Sequence, residues 1–134
     1  MPIQMVFDGD ETTLALLITN LSELPLSNNF FTQSSDSLQF AIFKHPEGHS
    51  IQRHWHPPFQ RVLDSTSEVL IIQSGLVKTS IYDNNLKLVH AQTLASGDVA
   101  VLLSGGHGFE IIEDAVILEV KQGPYAGVKD KRIF

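Results

Sequence analysis

The chain has no cysteine. Disulfide frameworks, thiolate metal sites and cysteine nucleophiles are therefore excluded. Basic residues are scarce: nine Lys and Arg stand against fifteen Asp and Glu, for a formal charge of −6. They form no cluster, and a phosphate-binding stripe needs one, so nucleic acid is not an expected partner. No apolar run approaches the ~18 residues that cross a bilayer, and no membrane role is expected. The opening "MPIQMVFDGDETT" has neither a basic start nor a cleavable apolar segment, so a cytoplasmic location is expected. Serines are plentiful, but no G-x-S-x-G elbow holds one, which disfavours a hydrolase triad. "SGGHG" lacks the Lys and the strand-to-helix setting of a phosphate loop.

What is present reads as one domain over residues 1–134, long enough to bury roughly two-thirds of its unfolded surface. Short strands separated by turn signals run almost throughout. "TTLALLIT" (12–19) is apolar and β-branched at its ends, and Asn20 and Pro25 stop it from extending as a helix. "LQFAIFKH" (38–45) alternates, with Leu38, Phe40, Ile42 and the Lys44 stem on one side. "EVLIIQS" (68–74) and "LVKTSIYD" (76–83) meet at Gly75, which reads as a hairpin corner. A second hairpin lies within 81–94, because Asp83, Asn84 and Asn85 tolerate the positive φ of a tight turn. "DVAVLL" (98–103) is a further strand, and "FEIIED" (109–114) and "AVILEVKQ" (115–122) form a last pair around Asp114. Residues 20–36 hold at most a turn of helix, and 123–134 form an irregular strap. This pattern indicates an antiparallel sandwich or barrel.

The stretch "GHSIQRHWH" (48–56) uses three of the six histidines and the only tryptophan. On a strand, His54 and His56 share a face, close enough to hold one small cation, and Trp55 points the other way. A same-face His pair is by itself most often plain polar surface. Two other residues weigh against that reading. Glu68 heads an otherwise apolar strand, and His107 lies between glycines that let backbone approach a site closely. By period two, Ser50 and Gln52 face the same way as His54, and Phe109 shares the face of His107. Phe109 walls a pocket or packs in the core. Arg61 clamps an anion or is solvated surface charge. Glu119 and Lys121 read as the wet side of the last strand, with Val116, Leu118 and Val120 inward. An outward Trp55 suggests a contact between two copies, hence a homodimer. His45 and His49 have the opposite parity and stand outside the site.

In order, the chain gives G-x(5)-H-x-H (Gly48, His54, His56), E-x(6)-G (Glu68, Gly75), then Gly97, Asp98 and His107. This resembles the two-part signature of the cupin superfamily over residues 40 to 121. "GGHGFEIIED", "EVKQGPYAG", "DKRIF" and "FFTQ" are similar to short bacterial cupins encoded among surface-polysaccharide genes. The resemblance implies an all-β, antiparallel jelly-roll β-barrel, with its core at about 38–122, N-terminal strands in 1–37 and a strap at 123–134. It also implies one divalent metal (zinc, iron, manganese or nickel) held by His54, His56, Glu68 and His107, with Gln52, Phe109 and Arg61 as pocket candidates. The sequence departs from the family pattern in two places. Residues "PPFQRVLDSTS" separate His56 from Glu68, where the family has a short gap, and Leu103 and Ile111 replace the usual Pro and Asn of the second motif. Such a protein would act on a small molecule of carbohydrate type, as an isomerase or epimerase, or as an oxygenase. The alternatives are a non-enzymatic module that binds a sugar or serves regulation, and a barrel with an empty site.

Overall fold

The structure, a computed structural model, describes residues 3–9 and 12–134. Residues 1–2 and 10–11 of the expected N-terminal strand region lie outside the described residues. Among the described residues there are eight strands: β1 (Ile3–Phe7), β2 (Thr13–Ile18), β3 (Ser27–Phe30), β4 (Ala41–Lys44), β5 (Glu68–Tyr82), β6 (Leu88–Ala95), β7 (Val99–Leu102) and β8 (Gly106–Lys121). All pairings are antiparallel. The only helical pieces among the described residues are 3₁₀ turns at Leu21–Glu23 and Gly127–Lys129, the first within the segment expected to hold a turn.

β5 organises the molecule. Its first half pairs with β7, which continues through β2 to β1, and its second half pairs with β6. On its other side β8 follows it along the whole length, from Glu68 opposite Lys121 to Tyr82 opposite Gly106. The two hairpins expected to turn at Gly75 and at Asp114 are therefore not formed. Each pair of expected strands is one long strand, and the two long strands bend together. The ladder slips between Ile72 and Ser74, Ser74 and Leu76, and Leu76 and Val77. Such slips kink a ladder and increase its twist. Gly75 sits at the kink with φ +91°, and a Cβ there would run into the Asp114 carbonyl. Only glycine lets the two backbones come this close.

Bending folds the ribbon back over a shared core. Leu70 and Ile72 from the first half of β5 lie in one buried cluster with Val77 and Ile81 from the second, joined by Val6, Leu17, Leu94, Ala100 and Leu102. Ala115 and Ile117 of β8 pack against this cluster. A second cluster (Leu16, Ile18, Val69, Val99, Val101) fills the other face of the sheet, where Phe31, Leu38, Phe40 and Ile42 cover it. Leu38, Phe40 and Ile42 thus share one side as expected, and that side is the inward one, although the strand itself is confined to β4. β2 and β7 are covered on both faces, which explains their unbroken apolar sequences.

β8 reverses one expectation. Val116, Leu118 and Val120 point outward and are about half exposed, whereas Ala115 and Ile117 point to the core. The reason is register: Ile72 lies opposite Ile117 and Ile71 opposite Leu118, so β8 inherits the facing of β5. β1 approaches β6 across the open end of the curved sheet, without a ladder between them among the described residues. The fold is all-β and antiparallel.

Candidate functional site

The bend brings the two ends of the ribbon together at a mouth. Glu68 opens β5, and its side chain lies on the core-facing side with Leu70 and Ile72. His107 is at the start of β8, opposite Ile81, which faces the same core from the other half. The His107 Nε2 is 3.1 Å from the Glu68 Oε2. On a straight ribbon these residues would sit at opposite ends, so the contact exists only because the ribbon is folded.

The local chain holds both groups in place. The Ser67 amide donates to the Gln122 side-chain oxygen at 2.8 Å, which ties the start of β5 to the residue after β8. A Cβ at Gly106 would lie 2.7 Å from the Phe134 ring, which itself meets Tyr82 edge-on at 5.1 Å. The C-terminal strap therefore crosses to the turn that carries His107, on a backbone without side-chain bulk. The Phe109 ring lies 5.6 Å from that of His107, so it walls the mouth on the expected face.

Electrostatics favour an ionised Glu68. Its hydrogen bond with His107 holds the carboxyl below its usual range. Burial opposes this, while the charge of His107, the Glu119 side chain and the charge of Lys121 assist it. Glu119 and Lys121 were expected on the wet side of the last strand, as a pair. The structure turns them to the mouth side, and Lys121 Nζ lies 3.9 Å from Asp130 of the strap. The signal was available in the sequence: Glu119 and Lys121 are even-numbered steps from His107, so one uninterrupted strand puts all three on the same face. The assumed break at Asp114 hid it.

His54 and His56 come together, but not on a strand. Residues 45–67 form no strand, and 47–66 are exposed. Pro57 and Pro58 follow the pair, and neither has an N–H to give to a ladder. The two imidazoles still stand 5.3 Å apart, edge to face. The His54 Nδ1 is 2.8 Å from the Gln52 carbonyl, and donating to that oxygen leaves the Nε2 lone pair free. Gln52 and Trp55 are exposed on the same irregular segment, so the alternating faces expected for residues 50–56 are absent. Arg61 lies 3.9 Å over the Phe59 ring and not at the mouth. At the head of the same segment His45 and His49 stack at 3.8 Å, with His45 Nε2 2.6 Å from Asn28 Oδ1.

The four expected ligands thus form two pairs, Glu68 with His107 and His54 with His56. Among the described residues, no three His, Cys, Asp or Glu side chains gather at one point that could hold a metal ion. A shallow polar cleft of about 390 Å³ is lined by Asp36, Asp64 and Ser67 among others, and none of Glu68, His107, His54 and His56 lines it. No helix among the described residues is long and apolar enough to cross a membrane. Compared with known protein families, with curated proteins and with solved structures, the chain matches none.

Proposed function

We propose that this chain is a small metal-binding protein of the cupin type, with a jelly-roll barrel, that holds one divalent ion at the mouth of the bent ribbon. The observation that carries this reading is the contact of Glu68 with His107, made from the two ends of one ribbon. An ionised carboxylate beside an imidazole is a suitable half-shell for zinc, iron, manganese or nickel. His54 and His56 supply donors of the right kind, already paired, on a segment that no ladder restrains. They complete the shell when that segment closes over the mouth. Once bound, the ion would polarise a carbonyl or hydroxyl of a small carbohydrate-type molecule, or serve an oxygenase reaction. Phe109 gives the mouth an apolar wall, and Glu119 and Lys121 give it a carboxylate and a cation for substrate hydroxyls.

A second reading draws on the same contact. Glu68 and His107 already satisfy one another, so the pair also suits a non-enzymatic module in which it locks the ribbon shut. Calorimetric titration with zinc, nickel and manganese separates the two. The metal reading expects one ion per chain, with affinity at least tenfold weaker in His107→Ala and in the His54→Ala, His56→Ala double variant. Unchanged affinity in the double variant would remove those two histidines from the shell. No binding of any of these metals to the unaltered protein would leave the lock.

A further inference from the structure

Of the six histidines, only His90 has no place in the contacts described above. It lies on β6 opposite Ile81, and His107 lies opposite the same Ile81 on β8. Two residues along the ribbon, Gln92 and Phe109 flank Thr79 in the same way, and beyond them Leu94 and Ile111 flank Val77. Val77, Ile81 and Leu94 belong to the core cluster, so all three rows face inward. The rows differ in character. The third is apolar, whereas the first two carry two imidazoles, a carboxamide and a hydroxyl. Neither of these two holds Asp, Glu, Lys or Arg. Phe109 and Ile111 face inward and are still 37% and 53% exposed, so the concave face is open along β8.

Hydrogen-bonding capacity is left over in these rows. Thr79 is fully buried, and its hydroxyl makes no hydrogen bond. A buried hydroxyl left unpaired costs stability that a valine of the same shape would not cost. The His90 Nε2 is 3.0 Å from the Gln92 Oε1. An amide oxygen only accepts, so Nε2 carries the proton, and the His90 Nδ1 keeps its lone pair in the neutral ring. The Gln92 N–H groups have no partner among the described residues.

We propose that the two polar rows form a subsite for the neutral, hydroxyl-bearing part of a sugar or polyol. The inference rests on the reading of the mouth as a ligand site, and it names the part of the ligand that lies behind it. A ligand hydroxyl both donates and accepts, and the rows answer both needs: His90 Nδ1 accepts, the Gln92 carboxamide donates, and the Thr79 hydroxyl does either. A carboxylate or phosphate has no proton to give His90 Nδ1, and no Lys or Arg stands in the two rows to balance its charge. Phe109 offers an apolar ring to the C–H side of the ligand. Thr79 stands between Gln92 and Phe109, so a hydroxyl that enters between those two side chains supplies the missing partner.

Nuclear magnetic resonance of the full chain in EDTA tests the subsite apart from any metal. Titration with D-galactose and with D-glucose, each to about 100 mM, should shift the side-chain amide signals of Gln92 and the backbone signal of Thr79 with at least one of them. D-Galacturonate should shift neither. Thr79→Val should raise the urea midpoint, because the unpaired hydroxyl is gone, and should weaken binding of the responding sugar about tenfold. A valine variant no more stable than the parent would show that the hydroxyl is already satisfied inside the fold, and would overturn the proposal. So would silence with both sugars, equal shifts with galacturonate, or a sugar affinity that the variant leaves unchanged. Metal binding without sugar shifts removes the subsite alone. Sugar shifts in EDTA from a protein that binds no metal keep the subsite and remove the ion.

Discussion

Glu68 carries the clearest electrostatic signature in the molecule. It is partly buried and reaches His107 at 3.1 Å, and its carboxyl is held below the usual range chiefly by that hydrogen bond. The sign of the consequence follows. The folded protein binds this proton less readily than the unfolded chain, whose value is about 4.3. The contribution to stability is fully present above that value and is lost as pH falls through the lower, folded value. Urea midpoints of the unaltered protein and of Glu68→Gln should therefore differ at neutral pH and converge in acid. A gap that stays constant from neutral pH to about 3 would mean that the charge on Glu68 contributes nothing to the fold.

At the scale of elements, the bend is what matters. Gly75 has a positive φ and faces the Asp114 carbonyl, so Gly75→Ala combines a strained backbone with a backbone clash. The expected cost is roughly 2–4 kcal/mol, read as a fall in the urea midpoint with the m-value unchanged. A variant as stable as the parent would show that the kink can relax. The elements also show what the sequence made legible. β2, β7 and the turn at Asp83 were readable, because an unbroken apolar run and a cluster of turn residues are local signals. Gly75 and Asp114 were readable as irregularities but not as a shared kink. A turn and a bulge use the same residue types, and only the pairing of β5 with β8 distinguishes them. The resemblance implied that Glu68 and His107 share a metal with His54 and His56, and the structure brings Glu68 and His107 into direct contact. The strand expected at His54 and His56 failed on Pro57 and Pro58, which the sequence also displayed.

At the scale of the whole molecule, a layered β-core carries one long exposed segment, residues 47–66. Arg53 and Arg61 lie in it, and Lys78 lies within β5. Trypsin should cut first after Arg53 or Arg61 and spare Lys78, as mass spectrometry of early digests would show. If the two histidines close over a metal, nickel or zinc should slow the cut at Arg53 and leave that at Lys131 in the tail unchanged. Equal rates at Arg53 with and without the ion would separate this segment from the metal chemistry.

The folded ribbon also behaves like a pair of tongs. Gly75 is the fulcrum, and Glu68 and His107 are the tips. By leverage, a small change of angle at the fulcrum would become a large change of gap at the tips, so the spacing of the tips is governed by a glycine that touches neither of them.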